Sequence, residues 1–420
     1  MTNGAQGLLI HIPGATVMTY ELNFRAGEYL VTRAKWETPH LMEHLLLGAN
    51  KKWPKARAFQ AEFEKNGAYC NASTGSYDII YEAECADFEW RRILELLTLA
   101  ISQPLFLSDE FAAEYGNVKE ELTAHSNNHF RHLSLSLRAK YGFHAVTDKQ
   151  RLELMQNVSI EDIVHHYSKT HTTSNLRFVI AGRLPQKRQT AIEKLLNNLD
   201  LPDGGGRIVL PTELPKRLGR PLVIPNKTIE NLYFYADTFA LKRLGDQELD
   251  ALSLINSMLT ETLYSRILGT AREQGLVYSM SSNLAQTKDS TNWWFGAQVR
   301  PDNAPALFKI ITREMQKVIR GDLTAKDIAS AKRYAIGRYQ RGAQTVGGTA
   351  SGYAQRYFFD GAIEDYYKIP RRIRAVNKEA IIKSTKVMFK DNVWGWGVLG
   401  SHSPKLIGKL NNELKKLWTT

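Results

Sequence analysis

The chain has 420 residues, of which 43% are hydrophobic and 23% are charged, a composition typical of globular proteins and unlike that of disordered, collagen-like or membrane-spanning chains. No apolar run is long enough to cross a membrane and the start has no basic region, so we expect neither a membrane span nor a secretory signal. The two cysteines, Cys70 and Cys85, are too few for a disulfide framework or a cysteine-rich zinc site and favour a cytoplasmic protein with buried, reduced thiols.

The net charge of +12 is concentrated in the second half of the chain. Residues 1–203 carry 22 Lys and Arg against 24 Asp and Glu, a net charge of −2, whereas residues 204–420 carry 33 against 19, a net charge of +14. This asymmetry is typical of proteins that bind nucleic acid, an acidic partner or an acidic substrate, although a solvated basic surface gives the same count. No nucleic-acid recognition motif accompanies the charge, so we expect no nucleic-acid partner.

The first half of the chain predicts a mixed order of strands and helices. Apolar and polar residues alternate in the longer segments, which favours strands, and other segments have helical character. In chain order we predict strands at residues 8–12 and 17–24, a helix at 39–47, a hairpin at 68–72 and 79–84, helices at 90–102 and 108–124, and a strand at 176–182.

The second half repeats this order after a glycine-rich run at residues 201–206, which can hold neither a helix nor a strand. We therefore predict two copies of one α+β domain, at residues 1–203 and 204–420. The predicted elements of the second copy are strands at 222–224 and 231–236, a helix at 248–267, a hairpin at 277–280 and 293–299, helices at 304–320 and 326–344, and a strand at 393–400.

The sharpest local motif is His40-Leu-Met-Glu-His44 on the first predicted helix. Residues four apart lie on one face of a helix, so His40 and His44 can bind one Zn²⁺ together. Glu43 lies between them and can act on a water molecule beside the metal without being a ligand. This order of residues is the inverzincin pattern.

A catalytic zinc site requires a third protein ligand, and the predicted helix at 108–124 supplies a candidate. Glu121 follows His44 by 77 positions, and Glu114 lies seven residues earlier on the same helical face. Glu114 can orient a histidine ligand through a hydrogen bond. A solvated acidic helix face is the alternative interpretation of both residues.

With these residues the chain resembles the M16 metallopeptidases, the family of pitrilysin, insulin-degrading enzyme and the mitochondrial processing peptidase. The motif His-x-x-Glu-His is followed after 69 residues by Glu-x-x-x-Val-x-x-Glu, which begins at Glu114. The Asn-Ala-Ser-Thr run at residues 71–74 and the Arg-Glu-Gln-Gly-Leu-Val-Tyr-Ser run at 272–279 also match family segments. The resemblance covers both halves and is that of a short, two-domain bacterial-type member. It departs from the family at residues 258–262, where a glycine-rich run is usual.

The resemblance implies two homologous α/β-sandwich domains per chain, each with an antiparallel-rich sheet packed with helices, and the activity of a zinc endopeptidase. It implies that one Zn²⁺ per chain is bound by His40, His44 and Glu121. Glu43 would be the general base and Glu114 the supporting carboxylate.

Substrate contacts are implied in both halves. Asn71 and Ala72 would lie on a strand edge that pairs with the backbone of a peptide substrate, as extended peptides can do. Arg272 and Tyr278 would reach the site from a facing half and contact the substrate or the developing oxyanion.

Family members build a closed chamber from four such domains, whereas this chain supplies two. The resemblance therefore implies a homodimer, in which the zinc of one chain faces the second half of the other, and a preference for short or unfolded peptides. A heterodimer is the alternative, and a catalytically silent or partner-dependent subunit is the alternative function.

Other histidines give competing patterns. Glu121, His125 and His129 are spaced four apart and would form a second metal stripe on an unbroken helix, but asparagines at 127 and 128 predict that the helix ends there. We expect the remaining candidates to be surface residues: His132, His165 and His166.

Overall fold

The computed structural model describes residues 1–418, whose strands form two sheets of five strands each. The chain divides into two compact units. The first contains Met1–Ala124, Lys149–Leu210 and Gln340–Tyr367, and the second contains His125–Asp148, Pro211–Tyr339 and the residues from Lys368 onward. Each unit combines one sheet with several helices, so the predicted α+β class is confirmed.

The sheet of the first unit has the strand order β1-β5-β2-β4-β3. Strands β1 and β5 run parallel, and every other neighbouring pair is antiparallel. Strand β3 lies at one edge of the sheet. The bounds are β1 (Gln6–His11), β2 (Val17–Phe24), β3 (Tyr69–Thr74), β4 (Ile79–Ala86) and β5 (Leu176–Gly182).

The second unit repeats this topology, with the order β6-β10-β7-β9-β8 and a single parallel pair, β6 with β10. The internal repeat predicted from the order of elements is therefore present in the strand pairing itself. The bounds are β6 (Leu222–Pro225), β7 (Leu232–Ala240), β8 (Met280–Gln286), β9 (Thr291–Val299) and β10 (Val393–Gly400).

The helices of the first unit include the one that carries the histidine motif. Another helix of this unit, α3, spans the same residues as the predicted helix at 90–102. The bounds are α1 (Thr38–Leu46), α2 (Ala56–Glu64), α3 (Trp90–Ser102), α4 (Ser108–Ser126), α6 (Asp148–Met155), α7 (Ile160–Thr170), α8 (Gln186–Asn197) and α13 (Val346–Asp360), with α4 and α6 crossing the boundary by one or two residues.

One helix predicted in the second unit is wrong in part. The helix predicted at 248–267 is wrong beyond residue 256: α9 ends there, a π-helical turn follows at Ser257–Glu261, and Thr262 is extended. The bounds are α5 (His129–Tyr141), α9 (Asp246–Asn256), α10 (Leu268–Glu273), α11 (Ala304–Arg320), α12 (Ala325–Gly342), α14 (Ile369–Ala375), α15 (Lys378–Lys390) and α16 (Pro404–Lys415), with α12 crossing the boundary by three residues.

Two helices do not follow the predicted division at residues 203 and 204. Helix α5 comes from the first half of the sequence but packs on β7 and β10, and α13 comes from the second half but packs on β2 and β5. Glycines in β10 make room for α5, since a Cβ atom on Gly395 would lie 2.6 Å from the Tyr141 ring and one on Gly397 would lie 3.0 Å from Leu133. Each unit is therefore assembled from discontinuous segments.

The core of the first unit fills the space between its sheet and helices α1, α3 and α4. Buried aromatic side chains from neighbouring strands, such as Phe24 and Tyr81, meet buried leucines of α1 and α3 there. Within residues 1–418, no helix combines the length and the apolar character needed to cross a membrane.

Candidate metal centre

Helix α1 positions the two histidines of the motif. Pro39 lies in its first turn, where the missing N–H has no partner to lose. His40 and His44 are one turn apart, with ring centroids 5.0 Å from each other. Four apolar side chains of α1 anchor the helix in the core and so hold the histidines in place: Leu41, Met42, Leu45 and Leu46.

Glu121 of α4 faces both imidazole rings. Its Oε2 atom lies 3.5 Å from His40 Nε2 and 3.8 Å from His44 Nε2. The fully buried Val118 and Leu122 fix this part of α4 against the core. Among residues 1–418, these three side chains form the one group whose ligand atoms could hold a metal ion, all within 4.8 Å of one another. Two imidazole nitrogens and one carboxylate oxygen are a donor set that suits zinc.

The nitrogens on the far side of both rings face carboxylates. His44 Nδ1 is 2.8 Å from Glu114 Oε2, and His40 Nδ1 is 3.1 Å from Glu37 Oε2. A carboxylate at Nδ1 favours the tautomer with its proton there, which leaves Nε2 free to bind a metal. The hydrogen bond with His44 lowers the pKa of Glu114. Glu114 thus lies beside the ring nitrogen of His44 that does not face Glu121.

Glu37 was not singled out from the sequence, although it lies three residues before His40. Its side chain is fully buried and meets Arg151 at two points, Nε to Oε1 at 2.5 Å and Nη2 to Oε2 at 2.9 Å. Burial raises the pKa of Glu37, but the hydrogen bonds from His40 and Arg151 outweigh it and lower the pKa overall. Glu37 therefore remains an anion behind the first histidine.

The carboxylates make the site favourable for positive charge. Burial lowers the pKa of His40, but the hydrogen bonds to Glu121 and Glu37 outweigh that effect and raise the pKa to about 9. A divalent cation bound at Nε2 would meet the same negative surroundings. The residues present therefore fit zinc in both ligand chemistry and charge.

Glu43 lies on α1 between the two histidines and is largely buried. Its Oε2 atom accepts a hydrogen bond of 2.7 Å from Thr74 Oγ1, at the end of edge strand β3. The sequence indicated Thr74 only as part of a family segment. Its hydroxyl holds the Glu43 carboxylate in one orientation.

Strand β3 also carries Asn71 and Ala72. It pairs with β4 on one side, and within residues 1–418 no strand pairs with its other side. Asn71 is exposed and Ala72 is buried. The backbone groups on the open side of β3 can accept an extended peptide as an additional strand.

Arg272 and Tyr278 belong to the second unit and contribute no ligand atom to the group. Arg272 Nη1 donates to the carbonyl oxygen of Tyr278 at 2.6 Å, and its guanidinium lies over the tyrosine ring at 4.6 Å from the centroid. The Tyr278 side chain is 81% exposed. The predicted strand at 277–280 is wrong in part, because β8 begins at Met280 and leaves Tyr278 in the preceding loop.

The second histidine stripe does not form a continuous helix face. Helix α4 ends at Ser126, and Asn128 caps the start of α5 through its side chain. The expectation that His166 is a surface residue is wrong, since it is buried with Nε2 2.8 Å from the Ala26 carbonyl oxygen. Cys85 is a buried free thiol and Cys70 is a partly buried one, and burial raises the pKa of each to about 12.

Comparison with known proteins shows the family of the chain. The family model described as insulinase, peptidase family M16, matches residues 8–148, and the model described as peptidase M16 inactive domain matches residues 157–334. Together the two models span most of the chain. The chain belongs to the M16 peptidase family. The residues of the metal centre all lie in the first match, so the description "inactive" applies to the half that holds none of them.

Relatives and solved structures of this family extend the comparison. An uncharacterized zinc protease from Rickettsia felis is 23% identical over 329 residues, which cover 76% of this chain and 77% of that protein. A protease from Helicobacter pylori has a TM-score of 0.83 at 18% identity, covering 96% of this chain and 98% of that one. A structure described as peptidase M16 inactive domain from Pseudomonas fluorescens has a TM-score of 0.85 at 16% identity, covering 96% and 97%. At such identities the structural likeness shows the fold.

Proposed function

We propose that the chain is a zinc-dependent endopeptidase that hydrolyses short or unfolded peptides. The observation that carries the proposal is the meeting of His40, His44 and Glu121 within 4.8 Å, with Glu43 on the same helix. Membership of the M16 family and the zinc protease among its relatives support it.

Each residue of the centre has a distinct task in this proposal. Zinc, when bound, polarises the scissile carbonyl and lowers the pKa of water. Glu43 takes the proton of the attacking water and passes it to the leaving amine. The hydroxyl of Thr74 orients Glu43 through its 2.7 Å hydrogen bond, so the carboxylate does not need to be positioned during the reaction.

The substrate would bind as an added strand on β3, where Asn71 and Ala72 lie. Main-chain hydrogen bonds hold an extended peptide without selecting its sequence, which suits short or unfolded chains. Arg272 and Tyr278 would contact the substrate or the oxyanion from the second unit of a partner chain. The ring of Tyr278 is largely exposed, so the site of a partner chain can reach it.

A homodimer completes this proposal. Two chains would enclose a chamber of four domains, with the zinc-bearing half of each facing the basic half of the other. We also propose a cytoplasmic location, for which the two free thiols of Cys70 and Cys85 are the supporting feature.

A catalytically silent or partner-dependent subunit is the second candidate. The match of residues 157–334 to a domain described as inactive favours it. The two candidates differ in metal content and in turnover by the chain alone.

Zinc per chain, measured by elemental analysis on protein purified without added metal, tests the proposal. We expect about one zinc in the wild type and almost none in His44→Ala, because two ligands do not hold the metal. The wild type should also cut an unfolded peptide unaided. A wild type that binds no zinc after reloading, or binds zinc and cuts nothing alone, would favour the subunit.

A further inference from the structure

A cleft in the second unit lies outside the metal centre. It is bounded by the π-helical turn at Ser257–Glu261, the loop that follows it, and helix α12, and its volume is about 370 Å³. The turn occupies the place where the family resemblance expects a glycine-rich run. Isolated π turns are frequent at functional sites.

Hydrogen bonds join the π turn and the end of α9 to edge strand β8. Asn256 Nδ2 donates to the carbonyl oxygen of Ser282, Ser282 Oγ donates to Asn256 Oδ1 at 2.6 Å, and Thr260 Oγ1 shares a hydrogen bond with Ser282 Oγ. Asn256 also accepts from Trp293 Nε1 at 2.8 Å. This wall of the cleft is therefore held by several hydrogen bonds.

The charges that line the cleft favour an anion. Arg266 and Lys326 are its cations, and Asp327 is its one acid. Asp327 Oδ2 is 2.6 Å from Arg266 Nη2 and also accepts from Thr324, so its charge is already balanced. The Lys326 ammonium is exposed and has no protein partner in the part of the chain that the structure describes. Lys326 is consequently the cation of the cleft whose charge no acidic side chain of the cleft balances.

Uncharged donors add to this character. The Oγ atom of Ser265 is buried without a hydrogen-bond partner among residues 1–418, in a residue that is only 4% exposed. Such a hydroxyl is costly unless something accepts from it. The side chain of Tyr264 is largely exposed at the cleft. Tyr334 and Met258 supply apolar surface beside these donors.

We propose that this cleft binds a carboxylate group of a peptide, with Lys326 as its charge partner and Ser265 and Tyr264 as hydrogen-bond donors. The proposal rests on the proposed peptidase function and adds a substrate class to it, acidic peptides. A carboxylate matches the spare cation, and the apolar surface of Tyr334 and Met258 matches the aliphatic part of a peptide. The carboxylate can come from an acidic side chain or from a peptide C-terminus.

Three octapeptides separate these sources: a neutral peptide with an amidated C-terminus, the same peptide with one Glu, and the neutral peptide with a free C-terminus. Binding is measured by calorimetry on zinc-loaded Glu43→Gln protein, so that turnover does not interfere, and KM and kcat are measured on protein that retains Glu43. We expect either the peptide with Glu or the peptide with a free C-terminus to bind more tightly than the neutral amidated peptide. Lys326→Gln should weaken the binding of that peptide by about threefold to tenfold and leave the binding of the neutral amidated peptide unchanged.

Lys409→Gln is the matched control, because it removes the same charge from an exposed position on α16, outside the cleft. Tyr264→Phe changes an exposed position and should weaken the binding of the peptide that carries the recognised carboxylate without affecting folding. Equal effects of the two lysine variants, or equal binding of all three peptides, would overturn the cleft proposal while peptide hydrolysis still stands. Absence of hydrolysis in a zinc-loaded wild type would defeat the proposed function instead, and the binding data would still decide the cleft.

Discussion

Arg151 and Glu37 form a buried ion pair with two contacts, 114 positions apart in the sequence, and the same Glu37 carboxylate faces Nδ1 of His40 at 3.1 Å. Arg151 Nη2 also lies 3.7 Å from Glu28 Oε1. The first histidine is therefore oriented by a carboxylate that is itself held by a cation. Glu114 orients the second histidine, and Asn117 donates to Glu114 at 3.1 Å.

Replacing Glu37 should weaken zinc binding. Carboxylates that orient a histidine ligand are worth about ten- to a hundredfold in metal affinity, and we expect Glu37→Gln to fall in that range. The variant also breaks the closest ion pair of the buried Arg151 and leaves it with the more distant Glu28, and breaking such a buried pair costs about 3–5 kcal/mol of stability. Zinc affinity by competition with a chelator and the thermal midpoint of the metal-free protein measure the two effects separately.

The double variant Glu37→Gln with Arg151→Met distinguishes orientation from folding. It also removes the buried positive charge of Arg151, so stability should return, while zinc affinity should stay low. Recovery of zinc affinity together with stability would mean that Glu37 supports only the fold.

Glu43→Gln should keep zinc and lose turnover, because Glu43 is no ligand but is placed to move a proton. We expect kcat to fall by about a hundredfold to ten-thousandfold with zinc content unchanged. Thr74→Val removes the 2.7 Å hydrogen bond to Glu43 and should lower kcat by a smaller factor, about tenfold, with zinc again unchanged. Loss of zinc from Glu43→Gln would contradict these roles.

Mixing two inactive variants tests the proposed homodimer. If Tyr278 serves the zinc of the partner chain, Glu43→Gln and Tyr278→Phe chains should complement each other, since one site in each mixed dimer is intact. Re-formed from equal amounts, the mixture should regain about a quarter of wild-type activity. Activity that stays at the level of the separate variants would mean that Tyr278 acts at the zinc site of its own chain or has no role in catalysis.

The buried Asp237 of β7 should make stability depend on pH. Burial raises the pKa of Asp237 to about 7, although its hydrogen bond from Asn292 opposes the shift. Between about pH 4 and pH 7 the folded chain holds a proton that the unfolded chain has released. The free energy of unfolding therefore falls as pH rises through this window and levels off above it.

Thermal midpoints at pH 5 and pH 8 measure this effect. The wild type should lose stability relative to Asp237→Asn as the pH rises, because asparagine cannot ionise. Asp302→Asn removes an exposed carboxyl of the same unit and serves as the control. Parallel pH profiles for the wild type and Asp237→Asn would contradict the prediction.

Local spacing in the sequence predicted the parts of the metal centre that lie on single helices. His40 and His44 are one turn apart, and Glu114 and Glu121 are two turns apart, so each pair shares a face whatever the rest of the fold does. The meeting of the two pairs came from the family resemblance, and no rule of local spacing would bring α1 and α4 together.

The ten strands, at least in part, and six of the sixteen α-helices of residues 1–418 were predicted for the same reason, since alternation and helical periodicity are local properties. The failures lie where packing overrides them. The helix predicted at 248–267 breaks into a π turn, in which Thr260 shares a hydrogen bond with Ser282 of β8. His166 is buried because its ring nitrogen reaches the Ala26 carbonyl, 140 positions away.

Patterns in the sequence predicted the shared helix face of His40 and His44, the candidate third ligand Glu121 and the repeat of two α+β halves. The family resemblance, and not a local pattern, implied the edge position of Asn71 and Ala72. Other features became visible in the folded chain alone: Arg151 supports Glu37, Thr74 holds Glu43, and α5 and α13 each pack on the sheet of the other half of the sequence. These contacts join residues far apart in the chain, and their residue types are common at the surface. Which of them meet depends on how the buried faces of helices and sheets fit together.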